Sequence, residues 1–131
     1  MINREIIRIK IVQLTYAYYQ NGNKNLDAAE KELLFSLSKA YDLYNYMLAL
    51  IVAVTHEARK HLDVEMARAQ REKTETPSQK FAFNRFAVQL EENKMLCSFM
   101  DTQKKTWDGE PEFVSKLYDQ IIQSSLYTDY M

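Results

Sequence analysis

Apolar residues recur every three or four positions along most of the chain, which is the spacing of amphipathic α-helices. The first such pattern predicts a helix from about Asn3 to Gln20, followed by a stop at Asn21-Gly22-Asn23, where glycine suits the left-handed conformation found after helices. A second pattern extends from Asp27 to about Arg71. We expect two helices there, with a break near residues 36–38, because so long a helix without an internal cap is unusual in a globular domain.

The start of the second pattern carries a capping signal. Asp27 is a suitable N-cap, and Glu30 completes an aspartate version of the capping box. Residues 63–80 are then almost wholly polar, which predicts a fraying helix end and a mobile loop at about 72–80.

The last part of the chain returns to helical spacing. It predicts a helix from about Phe81 to Lys105, a break at 108–111, and a last helix that begins at Pro111 and ends near Ser124. We therefore predict an all-α fold, a helical bundle of about four to five helices in a single domain of residues 1–131. The tail after Ser124 is apolar and aromatic, so we expect it either to dock on the core or to continue into a longer chain.

Composition supports this fold class and excludes others. With only 2 Gly and 2 Pro, the chain lacks the turn residues of a β-sandwich or barrel and the glycine-rich loops that bind phosphates. Hydrophobic residues make up 47%, enough for a core. The most apolar stretch, residues 46–55, is too short to span a bilayer, and the first residues do not form a secretory signal. We expect a cytoplasmic protein.

Charge is segregated although the net charge is only -1. The first 25 residues are the most one-sided segment, at +3, with Arg4, Arg8, Lys10 and Lys24 against Glu5. Residues 59–80 form a second basic stretch, at +2. A nucleic-acid partner would therefore have to be bound by a local patch.

No pattern of residues predicts catalysis, a metal site or a cofactor. His56 and His61 are five positions apart and diverge by about 140° on a helix, so they cannot share an ion, and we expect two solvated side chains. Cys97 is interpreted as a small core residue. Glu91 and Glu92 are neighbours that point apart, so we predict a solvated face there. We expect a non-catalytic protein with no cofactor.

The first predicted helix carries a candidate binding face. Arg4 and Arg8 lie one turn apart, and Thr15 and Tyr19 extend the same stripe, whereas Lys10 falls about 200° from Arg8. This stripe could bind phosphates or could simply be a solvated face, which is the simpler interpretation on composition alone. The nine tyrosines leave a similar choice between helix packing and stacking on exposed bases.

The segment from Arg4 to Gln20 resembles the first helix of the NusB transcription antitermination factors. Those proteins begin with an arginine-rich stretch followed by a Val-Gln-x-x-Tyr-x-aromatic pattern, which Val12, Gln13, Tyr16 and Tyr18 match. Residues 25–51 and 77–96 and the region of Trp107 are similar to a longer NusB variant of the Bacteroides group.

This resemblance implies an all-helical, non-catalytic protein with a NusB-like amino-terminal subdomain and a lineage-specific extension. It implies binding to the boxA segment of nascent ribosomal RNA transcripts together with a small-subunit ribosomal protein (NusE), in the RNA polymerase complex that suppresses termination. By motif position, the RNA contacts implied are those of Arg4, Arg8, Lys10, Gln13 and Tyr16.

Two further expectations follow from the resemblance. The family's carboxyl-terminal bundle has no counterpart before Met131, so we expect the chain to be the amino-terminal part of a longer protein and to self-associate through the apolar surface that this leaves exposed. The alternative to an RNA-binding antitermination factor is a helical adaptor that binds proteins and no nucleic acid.

Overall fold

The structure is a computed structural model that describes residues 3–22 and 25–131. Within those ranges it contains helices and no strand, so the predicted all-α class is confirmed. The six α-helices of the described ranges are α1 (Arg4–Gln20), α2 (Leu26–Glu72), α3 (Arg85–Glu91), α4 (Lys94–Asp101), α5 (Pro111–Ile122) and α6 (Ser125–Tyr130). A short 3-10 helix, Trp107–Gly109, precedes α5.

The chain divides into two compact units, Met1–Tyr44 and Asn45–Met131, called here the first and second unit. The first unit contains α1 and the beginning of α2, and the second contains the remainder of α2 and all later helices. Because α2 belongs to both units, the single domain expected over residues 1–131 stays a prediction.

Helix α1 begins and ends close to its predicted bounds. The side chain of Asn3 caps its first turn by accepting a hydrogen bond of 2.9 Å from the backbone N–H of Ile6. At the other end, Gly22 adopts a φ of 61°, the left-handed conformation that the sequence predicts. Asn23, the third residue of the predicted stop, lies outside the described residues.

Helix α2 is continuous, so the predicted break near residues 36–38 is wrong. No glycine or proline occurs between Leu26 and Glu72, and the hydroxyl of Ser38 donates to the backbone oxygen of Phe35 at 2.7 Å without interrupting the helix. The predicted cap is also displaced. Asn25, not Asp27, caps α2, since its side-chain oxygen accepts a 3.1 Å hydrogen bond from the N–H of Ala28.

The predicted helix from Phe81 to Lys105 is wrong as a single element. Residues 73–84 connect α2 to α3, and Asn84 caps α3 by accepting from the N–H of Ala87. Asn93 then caps α4 in the same way, which separates two short helices where apolar spacing alone predicts one. The predicted start of the last long helix at Pro111 is confirmed, but Ser124 caps a further helix, α6.

The buried residues lie in the second unit. Its core joins one side of α2 to α5 and to the α2–α3 connection through Leu50, Val54, Ala58, Leu62, Ala82, Val114 and Tyr118. The carboxyl-terminal tail docks beside this core, with the ring of Tyr127 5.2 Å from that of Phe81. In the described part of the chain, no helix has both the length and the apolar character that crossing a membrane requires.

Candidate nucleic-acid interface

Helix α1 presents its two arginines to solvent on one side. Arg4 and Arg8 are both exposed and lie one turn apart, about 40° from each other around the helix axis. Neither forms an ion pair with any residue in the ranges 3–22 and 25–131. Their charges are therefore available to an anion from outside the chain.

Exposed rings and one aliphatic side chain lie further along the side of α1 that carries these arginines. Tyr19 is 77% exposed, Val12 70% and Tyr16 66%. At about 100° per residue, Tyr19 lies about 20° from Arg8, Val12 about 40° and Tyr16 about 80°. We call these three residues, together with Arg4 and Arg8, the α1 face.

The other two predicted contacts lie elsewhere on the helix. Gln13 is exposed at about 140° from Arg8, beyond Tyr16, and Lys10 is half-buried at about 200° from Arg8. The helix thus places Arg4, Arg8 and Tyr16 within an arc of about 120°, with Tyr16 about 12 Å further along the axis than Arg8, leaves Gln13 at the margin and places Lys10 on the opposite side. Because Arg8 and Lys10 lie on opposite sides of α1, one straight strand of nucleic acid cannot contact both.

The α1 face combines the features that single-stranded nucleic acid requires. Guanidinium groups bind phosphate with charge-assisted hydrogen bonds, and tyrosine rings stack on unpaired bases. Both arginines lie in the first half of α1, where the positive end of the helix dipole adds to their potential. The only carboxylate of α1, Glu5, is exposed and opposes this potential, and it forms no ion pair with an arginine of the described ranges.

A charged cluster in the second unit was not predicted from the sequence. One carboxylate oxygen of Glu91 lies 2.8 Å from an Arg59 nitrogen and 2.7 Å from His56 Nε2. Arg59 also donates to the backbone oxygen of Ala82 at 2.9 Å and covers the ring of Phe83 at 4.8 Å. The prediction of a solvated face is therefore wrong for Glu91, which is half-buried and ion-paired.

The two histidines are exposed, as predicted, but each has a carboxylate neighbour. His56 contacts Glu91, and His61 Nε2 lies 3.6 Å from Glu57 while its ring stacks on that of Tyr118. In the described part of the chain, no group of three His, Cys, Asp or Glu side chains is placed to hold a metal ion.

Cys97 is exposed, so its interpretation as a core residue is wrong. Because Asn93 starts a new helix, the side chain of Leu96 points into the core and that of Cys97 points away from it. The thiol of Cys97 donates to the backbone oxygen of Glu91 at 3.2 Å.

Comparison of the chain with protein-family models, with curated proteins and with solved structures gives no match. The function is therefore inferred from the geometry of the α1 face and from the resemblance of its motif.

Proposed function

We propose that this protein is a non-catalytic transcription antitermination subunit of the NusB type, and that the α1 face binds boxA-type RNA. The observation that carries the proposal is the pair of exposed guanidinium groups of Arg4 and Arg8, which form no ion pair with any described residue, on a helix face that also carries the exposed ring of Tyr16. In this proposal, the arginines contact phosphates and Tyr16 stacks on a base. Gln13 can reach the margin of the same strand, whereas Lys10 acts only through longer-range attraction.

The motif resemblance supplies the partners of this proposal. A NusB-like amino-terminal subdomain would act in the cytoplasm together with the ribosomal protein NusE and RNA polymerase. The structure supports this indirectly, because the residues that match the family's motif include both exposed arginines and the exposed Tyr16.

The first experiment measures the affinity of a fluorescent boxA RNA for Arg4→Ala and Arg8→Ala at several salt concentrations, from about 50 to about 200 mM. We expect each variant to bind roughly tenfold more weakly, because one charge-assisted hydrogen bond is removed. The slope of log affinity against log salt should decrease by about 0.7 for each phosphate that the variant no longer binds. Circular dichroism checks that α1 stays helical.

Lys94→Ala is the matched control, because Lys94 is an exposed cation in the first turn of α4 with no ion pair among the described residues. It should bind RNA like the parent protein. If the two arginine variants keep both the affinity and the salt slope of the parent, the α1 face is not the RNA site.

A protein-binding adaptor is the second candidate function, and the exposure of Val12 and Tyr19 favours it. These side chains offer apolar surface of the kind that anchors a partner protein. In that case, Val12→Asp and Tyr19→Ala should abolish capture of purified NusE, nuclease treatment should leave it unchanged, and Arg4→Ala should have little effect. Loss of capture after nuclease treatment would instead support the RNA-dependent function.

A further inference from the structure

A groove of about 540 Å³ lies within the second unit, between α2 and α4. The small side chains of Ala49 and Ala53 on α2 leave room for the groove, and Leu90 of α3 and Leu96 of α4 line it with apolar side chains. Its volume falls in the range of about 300 to 1,000 Å³ that is typical of ligand sites. No sequence pattern predicts the groove, because its walls come from four separate segments of the chain.

One wall of the groove is held in place by specific contacts. The indole Nε1 of Trp107 donates to the backbone oxygen of Tyr46 at 2.8 Å, and its ring stacks on that of Phe113 at 5.6 Å. The hydroxyl of Tyr46 in turn donates to the backbone oxygen of Lys105 at 2.9 Å. These bonds attach the segment before α5 to α2, so the groove is formed before anything binds to it.

The charged residues that line the groove are acidic. Glu91, Asp101 and Asp108 contribute carboxylates, and no lysine or arginine of the described residues lines it. Glu91 is already neutralised by Arg59, but Asp101 and Asp108 are exposed and pair with no cation in the described part of the chain. The groove therefore has an apolar floor and two free carboxylates at its mouth.

From this arrangement we infer that the groove binds a basic peptide segment of a partner protein. An apolar side chain of the peptide fills the space above Ala49 and Ala53, and neighbouring Lys or Arg residues pair with Asp101 and Asp108. The two carboxylates disfavour a phosphate-bearing ligand, because like charges repel. A peptide fits better than a small amine, because the two carboxylates come from different segments, α4 and the 3-10 helix, and the apolar lining comes from α2, α3 and α4.

The test begins with selection of peptides about 12 residues long from a random phage library on the complete chain. We expect the selected sequences to be enriched in Lys or Arg next to Leu, Met or Phe. Synthetic versions should bind Asp101→Lys and Asp108→Lys at least about tenfold more weakly, because like charges then face each other. Asp63→Lys is the control, since Asp63 is exposed on α2 and does not line the groove.

Cys97 gives a second readout that needs no substitution. It is the only cysteine of the chain, it is exposed, and it lines the groove. A selected peptide in the groove should slow alkylation of Cys97 by a maleimide at least about fivefold, because reaction requires access to the thiol.

Three outcomes would overturn the inference: a selection that yields no binder or no excess of basic residues, equal peptide binding by the Asp101→Lys and Asp108→Lys variants, or an unchanged rate of Cys97 alkylation. None of the three depends on RNA binding by α1, so this proposal and the proposed function can fail separately.

Discussion

Tyr118 is buried in α5 among other aromatic side chains. Its ring stacks on that of His61 at 4.9 Å, and the ring of Phe81 lies 6.4 Å away. Burial is the main factor that raises the pKa of its phenol, and Tyr127 and Glu65 raise it further because they oppose a new negative charge.

This pKa makes stability depend on pH in the alkaline range. The unfolded chain releases the Tyr118 proton near the ordinary pKa of 10.0, and the folded chain releases it only at higher pH. The contribution of Tyr118 to the free energy of unfolding is therefore complete below about pH 10 and is lost as pH rises further. We expect Tyr118→Phe to unfold in urea with a smaller loss of stability between about pH 9 and about pH 11. If Tyr118→Phe keeps the pH profile of the parent protein, this phenol does not cause the pH dependence.

Residue environments set by local spacing were predictable, and those set by distant contacts were not. The common side of Arg4 and Arg8 follows from a separation of one helical turn. The half-buried state of Glu91 depends on Arg59 and His56, which lie more than 30 positions away in the chain. No spacing rule within one helix could have found that cluster.

At the level of helices, caps decided the boundaries that periodicity could not. Apolar spacing continues through both residues 36–38 and residues 92–93, yet the helix breaks only at the second place. There, the side-chain oxygen of Asn93 accepts the hydrogen bond of the Leu96 N–H and so starts a new helix. The hydroxyl of Ser38 instead donates to the backbone oxygen of Phe35 inside the continuous α2. Whether a short polar side chain caps or stays inside a helix depends on the backbone around it, which periodicity does not report.

The two glycines allow a matched test of the stop after α1. A Cβ added at Gly22 or at Gly109 would meet nothing within 4 Å, so neither substitution creates a clash. Gly22 alone has a positive φ, which costs an L-residue about 1 kcal/mol. We expect Gly22→Ala to lower the free energy of unfolding by about that amount and Gly109→Ala to leave it unchanged or raise it by about 0.5 kcal/mol. Urea unfolding followed by circular dichroism measures both, and equal effects would exclude strain at Gly22 as the cause.

At the level of the whole molecule, the two units differ in how much apolar surface they bury. No described residue of the first unit is buried, and α1 and the beginning of α2 expose large hydrophobic side chains such as Tyr19, Leu26 and Phe35. The second unit has a core of buried residues. The composition predicted enough apolar material for a core, but it could not show that the buried residues of the described ranges all lie in the second unit.

This difference predicts unequal local stability. Backbone amides of α1 should exchange with deuterium faster than those of α5, because opening α1 exposes little additional apolar surface, whereas opening α5 exposes Val114 and Tyr118. If a second copy of the chain covers the exposed side chains, exchange in α1 should slow as protein concentration increases, while exchange in α5 should not change. Hydrogen-exchange mass spectrometry at two concentrations measures both effects. Equal protection of α1 and α5 in the dilute sample would show that the first unit is stabilised by something other than burial of its own side chains, and concentration-independent exchange in α1 would exclude self-association through this surface.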